Sequence, residues 1–423
     1  MATFQKVKPL YQKKTLGEVI DFIDGDRGSN YPSEGEFFSS GACLFLNTKN
    51  VPSSKFSFEE KMFIDAKKDA VLRKGKLQRG DYVLTTRGTV GNFAYYDKSV
   101  PYENVRINSG MVILRKKTNE LDEKFFRYYL SSASFSGQVK SRITGSAQPQ
   151  LPIRDMLSME IALPDLPAQT RIASVLSAYD DLIENNEKRI KALEEMAQLL
   201  YTEWFIKFEF PGHEKVKMVD SGTEYGLVPE GWKVKRLGDV VGVQYGYTAS
   251  AEENNDYPKY LRGTDINKKS FIDWQGVPNC KISEDDFKKY KIKKGDVFII
   301  RMADPGKIGI CEREIKAVFA SYLMRLNIKS NLTPYYLYYF VTSERYQGFV
   351  LGASGGTTRK SVNSQQVGAI DILIPKREIL DNFEAKAGLL REELTKLIQQ
   401  NNSLSKTRDL LIPQLVVGRR ELK

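Results

Sequence analysis

Two stretches of the chain carry apolar residues in alternating steps of three and four. In the first, Ile172, Leu176, Tyr179, Ile183, Asn186, Ile190, Leu193, Ala197, Leu200 and Trp204 fall on one line. This heptad pattern predicts a helix with a continuous seam. No Gly or Pro interrupts it, and Pro167 stands at a helix start, where proline is tolerated. A seam this long needs a second helix. Phe383, Ala387, Leu390, Leu394, Leu397, Asn401, Leu404, Arg408, Leu411 and Leu415 supply one with the same steps. Pro413 is expected to break that helix before its last seam position. Centring an antiparallel pair on both seams sets Asn186 opposite Asn401, one at a d-type and the other at an a-type position. A buried polar pair there would fix register and orientation. The alternative is that each asparagine faces solvent at a splayed point. Roughly 33 residues per seam at about 1.5 Å each make a rod of about 50 Å.

Outside the seams the pattern is one of short strands, turns and short helices. Residues 1–14 are polar and basic, and read as extended. A globular segment begins at Leu16-Gly-Glu-Val-Ile20, followed by a turn-rich loop from Asp24 to Pro32. Val71 to Tyr96 reads as short strands and turns, and Asn108 to Arg115 as a strand. Leu121 to Ser132 reads as an amphipathic helix with Asp122 and Glu123 in its first turn. Thr144 to Gln150 is a loop, and Ile153 to Leu163 closes the segment. Residues 207–230 read as a linker that packs through its aromatics.

The plan then repeats. Leu16-Gly-Glu-Val19 returns as Leu237-Gly-Asp-Val240, and Gly80-Asp81 as Gly295-Asp296. From Leu121 to Pro164 the halves align without a gap: Leu121 meets Leu332, Tyr128 meets Tyr339, Gly145 meets Gly356 and Pro164 meets Pro375. The expected fold is therefore α+β. Two repeated mixed α/β domains are joined by two long helices in an antiparallel coiled coil with a pseudo-twofold axis. The expected boundaries are 1–166 and 231–376 for the domains, 167–206 and 377–423 for the helices, and 207–230 for the linker.

Composition adds a partner class. The chain has 423 residues, 41% hydrophobic, enough for two or three cores. Its net charge of +11 suits a polyanion, most simply nucleic acid, though a basic enzyme would share it. No apolar run approaches the roughly 18 residues of a membrane span, and the N-terminus lacks a signal-peptide core, so a cytoplasmic protein is expected. Cys43, Cys280 and Cys311 have no zinc-ligand spacing and fit free thiols.

Catalytic signatures are missing. The single histidine, His213, lies in the linker and reads as structural or solvent-exposed. Gly352-Ala-Ser-Gly-Gly356 lacks the spacing of a phosphate-binding loop. Asp65-Ala-Lys67 and Glu384-Ala-Lys386 have a nuclease-like spacing that any charged chain produces by chance. No catalytic residue and no metal ligand is assigned.

Each half does offer loops with the chemistry to read nucleic acid. In the first, Asp26, Arg27, Asn30 and Tyr31 share the turn-rich loop; Arg87 and Thr89 lie beside Gly88 and Gly91. Arg106 and Asn108 flank a strand start, and Arg142, Gln148 and Gln150 belong to the closing loop. In the second, Gln244, Tyr245 and Tyr247 take the place of the first loop, with Tyr260 and Arg262 further on. Arg301 and Lys307 lie in the counterpart of Arg87 to Gly91, and Thr357, Thr358, Arg359 and Lys360 replace the region from Ser146 to Pro149. Arginine can pair with guanine, and Asn or Gln with adenine, in bidentate fashion. Each residue alone also fits a solvated surface.

At this point the whole chain resembles the specificity subunits of type I restriction–modification systems. The resemblance rests on Ile161-Ala-Leu-Pro164 leading through Gln169 into Ile172-Ala-Ser-Val-Leu176, then Asp181-Leu-Ile-Glu-Asn-Asn186 and Leu193 to Phe205. Phe210-Pro-Gly-His213 and Pro229-Glu-Gly-Trp232 also fit. The second helix departs from the pattern: it has Arg377-Glu-Ile-Leu-Asp381 in place of a Gln-led entry, and it reads about one turn shorter. The resemblance implies that each domain is a target recognition domain for one half of a split sequence in double-stranded DNA. It implies that the helices are spacers docking two methyltransferase subunits, with two motor–nuclease subunits joining. This chain then binds no cofactor; S-adenosylmethionine, ATP and Mg2+ belong to the partners. A related defence system with a different effector, or a stand-alone nuclease, are the competing expectations.

Overall fold

The computed structural model describes residues 11–145, 148–266, 269–353 and 361–420. The chain divides into two compact units, Met1–Ile183 with Ser403–Lys423, and Glu184–Asn402. Both divisions fall inside long helices, Leu166–Tyr201 and Arg377–Leu415. Each unit therefore contains one globe and a part of both helices.

In the first unit a four-stranded antiparallel sheet has the order Ile20–Asp24, Met111–Lys116, Tyr82–Thr85, Phe93–Tyr95. A second sheet holds Cys43–Leu46 between Phe63–Ile64, antiparallel, and Val105–Ile107, parallel. Gln12–Thr15 pairs with Glu160–Leu163, tying the start of the globe to the strand before the long helix. Thr15 opens the next turn with a capping box: its N–H and hydroxyl both donate to Glu18. The helix Glu123–Leu130 begins where sequence expects it, because the Asp122 carboxylate accepts from the Phe125 N–H at 2.8 Å.

The second unit repeats this order. Its four-stranded sheet runs Val241–Tyr245, Leu323–Ile328, Val297–Ile300, Ile308–Ile310, and Lys259–Leu261 pairs in parallel with Ala317–Phe319. Lys233–Arg236 pairs with Asp371–Ile374, as its equivalent does in the first unit. Residues 207–230 carry more than a linker. They hold the hairpin Met218–Asp220 with Leu227–Pro229, and Phe210 stacks on Trp232 at 5.2 Å in the core of this unit.

The long helices run antiparallel within each unit. In the second, Asn186 is buried and its Nδ2 donates to Asn401 Oδ1 at 2.8 Å and Gln400 Oε1 at 3.1 Å. Ile190 packs with Leu394 and Leu397, and Trp204 lies 6.0 Å from Phe383. In the first, Ile172 and Leu176 share a core with Ile412, Leu415 and Val416, and Arg408 pairs with Asp180 at 2.5 Å.

One expectation about the second helix is corrected: Pro413 does not end it, and the helix runs Arg377–Leu415. Ile412, Leu415 and Val416 are buried in the first core, and the Tyr11 hydroxyl donates to the Leu415 carbonyl at 2.9 Å. Burial of the final turn outweighs the one backbone bond that proline removes there. The unusual entry has a local substitute. In the first helix, fully buried Gln169 donates to the carbonyls of Glu120 and Pro164 and accepts from the Asp122 N–H, all at 2.8 Å. In the second, apolar Leu380 fills that place, and Glu384, one turn later, accepts from the Tyr335 N–H at 3.0 Å.

Candidate nucleic-acid interface

The turn between Tyr82–Thr85 and Phe93–Tyr95 organises the first candidate edge. Gly88 (φ 69°) and Gly91 (φ 97°) occupy left-handed backbone that other residues enter at a cost. The N–H groups of Thr86 and Arg87 both donate to the Gly110 carbonyl, at 2.8 and 3.2 Å, and Arg87 pairs with Gln150. The loop after Ile20–Asp24 reaches the same place because residue 25 is glycine: a Cβ there would lie 2.2 Å from the Asn108 carbonyl. Arg27 then donates to the Ser109 carbonyl at 3.3 Å and to Asp24 at 3.2 Å. Arg27, Asn108, Arg87, Thr89 and Gln150 thus share one continuous edge. Thr89, Gln148 and Gln150 are exposed. The Arg87 guanidinium has no hydrogen-bond or ion-pair partner among the described residues. Arg142 ends the helix that leads into the closing loop, and holds Gln138 O at 3.3 Å.

Other residues singled out by sequence are committed inward. Asp26 is buried and accepts from the N–H groups of Arg73 and Arg27 at 2.6 and 2.8 Å, which clamps the loop. Tyr31 packs edge-on against Phe45 at 5.7 Å, and the Asn30 amide donates to the Val71 carbonyl at 3.5 Å. The reading of Arg106 as a DNA contact is corrected. Its side chain is 7% exposed, pairs with Asp69, and donates to the carbonyls of Lys74 and Asp69 at 2.7 and 2.9 Å. Asn108 accepts from the Gly110 N–H at 3.0 Å and shapes the turn.

Burial pushes the Asp69 carboxyl up, but hydrogen bonds from Arg106, Asn104 and Lys76 outweigh it and hold the group down at about 2. A depressed folded value stabilises above the unfolded value of about 3.9 and loses that contribution as pH falls toward about 2. Melting followed from pH 5 to pH 2 should therefore lose stability in that window. Asp69→Asn, less stable at pH 7, should lose less over the same interval.

The second unit keeps the backbone device and changes its side chains. Gly306 (φ 92°) stands where Gly91 does, and each sits against a valine of the second helix after it, Val350 in Glu344–Ala353 or Val139 in Ala133–Arg142. Gly246 repeats Gly25: a Cβ there would lie 2.3 Å from the Ala320 carbonyl. The backbone bonds shift the sequence register by one residue. Arg301 donates to the Tyr322 carbonyl at 3.0 Å as Thr86 does to Gly110, and Met302 pairs with Ser361 as Arg87 does with Gln150. Met302, not Arg301, is the equivalent of Arg87. Ala303 (φ 72°) replaces Gly88 in left-handed backbone. That conformation costs an L-residue about 1 kcal/mol, so Ala303→Gly should raise stability by roughly that amount in denaturant unfolding.

Arg301 lies 4.9 Å over the Tyr245 ring, and its Nε has no hydrogen-bond partner among the described residues. The Tyr245 hydroxyl accepts from the Ser364 N–H at 3.1 Å, so both side chains are held ready at the edge. Lys307 is exposed. Arg262 is forked onto Asp265 at 2.9 and 3.1 Å. Tyr247 packs on Tyr290 at 5.4 Å, buried Tyr260 donates to the Tyr247 carbonyl, and Gln244 accepts from Arg325. Thr357, Thr358, Arg359 and Lys360 lie outside the described residues. Sequence reasoning singled out Asn108 but passed over Gly110 and the 320–322 turn. The signal was available in the pair of glycines, Gly25 and Gly246, at equivalent places.

Burial pushes the thiols of Cys43 and Cys311 up to about 12 and that of Cys280 to about 11, so none is a nucleophile near neutral pH. Among the described residues no three His, Cys, Asp or Glu side chains gather as a metal would need, and no helix is long and apolar enough to cross a membrane.

The family model described as the type I restriction modification DNA specificity domain matches residues 10–195 and 229–400. The chain belongs to that family. It is 28% identical over 419 residues to the type I restriction enzyme MjaIX specificity subunit of Methanocaldococcus jannaschii, covering 96% of this chain and 91% of that protein. It is 22% identical over 476 residues to the HindI specificity subunit of Haemophilus influenzae, covering 95% and 100%. The S subunit of a type I restriction-modification system from M. genitalium has the same fold, with a TM-score of 0.57 at 16% identity over 100% of this chain and 99% of that one. Family membership makes this chain a non-catalytic specificity component, with catalysis in partner subunits.

Proposed function

We propose that each unit reads one half of a bipartite target in double-stranded DNA. Lys and Arg anchor phosphates, and edge residues such as Arg87, Gln150 and Arg301 read bases. The long helices set the unread interval and seat two methyltransferase subunits; two motor–nuclease subunits complete the assembly in the cytoplasm. S-adenosylmethionine, ATP and Mg2+ are assigned to those partners. One observation carries the reading: the same glycine-dependent turns recur in both units with different side chains on them. One backbone device, varied at its tips, suits two half-sites of different sequence.

Selection of bound duplexes from a randomised pool tests this. The chain, co-purified with its host's methyltransferase subunits, should enrich two blocks of defined sequence separated by a fixed undefined gap. Affinity for the selected duplex should fall linearly on a log–log plot against salt. A single continuous block would refute the division into half-sites, and recovery of no duplex would refute DNA reading altogether.

A further inference from the structure

Resting on that reading, we infer that the second unit recognises the 5-methyl group of a thymine through the pocket rimmed by Tyr322 and Met302. The pocket has a volume of about 410 Å3, and its apolar wall includes Ala249, Ala303, Ala320 and Ile300. All of these residues belong to one unit.

The contrast with the first unit gives the argument its direction. At equivalent backbone positions the first edge carries Asn108, Gly110 and Arg87. The second carries Ala320, Tyr322 and Met302. Two hydrogen-bonding side chains, Asn108 and Arg87, are exchanged for apolar Ala320 and Met302, and bare Gly110 for the ring of Tyr322 on the same surface. Tyr322 is also 58% exposed, a large aromatic that packing does not account for. It sits where Gly110 leaves the first unit bare.

The surroundings fit DNA. Arg301, stacked on Tyr245, adjoins the pocket through Met302, and Arg262 stands on its wall, oriented by Asp265. Arg301 and Arg262 can meet the phosphate backbone, Asp304 and Thr264 share the lining, and the apolar part of the wall offers no hydrogen bond to a base edge. In the major groove thymine alone presents a methyl group, and apolar contact is the way side chains detect it. The pocket is continuous with the edge that carries Arg301, so a duplex lying on that edge brings its base edges to the mouth.

The test begins with the duplex selected by the full chain with its methyltransferase subunits. Each thymine in turn is replaced by deoxyuridine, which removes only the methyl group. At one or two thymines of a single half-site, replacement should weaken binding about four-fold, the worth of one buried methyl. Tyr322→Gly and Met302→Ala should bind the thymine duplex more weakly and should no longer distinguish it from the deoxyuridine duplex there. Sensitivity in the other half-site should be unchanged. Tyr322 is exposed, so Tyr322→Gly should melt as the parent does. The inference is overturned if no thymine matters, or if both variants keep the full discrimination. Failure to select any duplex would instead strike the underlying proposal, and this one with it.

Discussion

Replacing Arg391 with alanine is expected to destabilise the second unit by about 3–5 kcal/mol, measured as a shift in its denaturant midpoint. Arg391 lies on the second long helix with 1% of its side chain exposed, and Glu312 belongs to the globe with 7% exposed. The guanidinium meets the carboxylate two-pronged, at 2.6 and 2.9 Å, donates to the Ser270 carbonyl at 2.9 Å, and lies 5.3 Å over the Tyr338 ring. Removing it leaves a buried carboxylate without its partner. Burial already pushes the Glu312 carboxyl up, and only Arg391 and more distant Lys294 pull it back. The variant should therefore take up a proton at Glu312 as it folds. Removing both charges tests the cause. Arg391→Met with Glu312→Leu should recover most of the loss, because apolar replacement of a buried pair costs little. A double variant as unstable as Arg391→Ala would mean that the packing of Arg391 on Tyr338, rather than charge, holds the helix to the globe.

The second large effect separates two arginines that sequence treats alike. Arg106→Ala should cost about 3 kcal/mol of stability, since Asp69 keeps only Lys76 and Asn104 and two carbonyls lose their donor. Arg87→Ala should leave stability within about 0.5 kcal/mol, as expected of a partly exposed side chain without a partner among the described residues. Its effect belongs to DNA. On the proposed reading it should weaken the preferred duplex by about 1–3 kcal/mol and relax the choice of base at one position in one half-site. Melting and duplex selection on the two variants would show the dissociation. Equal loss of stability in both would place Arg87 in the fold rather than at the interface.

What the sequence makes legible depends on how local the cause is. The heptad steps are local, so they place Asn186 and Asn401 on the seam, and the structure joins them at 2.8 Å. The sheet order repeats because the same apolar and glycine positions recur in both halves. The errors come from distant partners. Nothing near Arg106 in the sequence announces Asp69, so a buried ion pair reads as a loop arginine. Pro413 obeys its local rule only until the burial of Leu415 and Val416 is counted. Arg87 and Arg301 attract one another in an alignment because they are the same residue. The backbone bonds, anchored at Gly91 and Gly306, set Arg87 against Met302 instead. That single step turns two matched arginines into two different surfaces.

The central claim is that one chain specifies two separated half-sites. Mapping methylated bases across the genome of a cell that carries this protein with its methyltransferase partners tests it most directly. The account predicts one split motif, two defined blocks around an unread gap of constant length, and loss of that motif when this chain is deleted. A continuous motif, or methylation that persists without this chain, would contradict it.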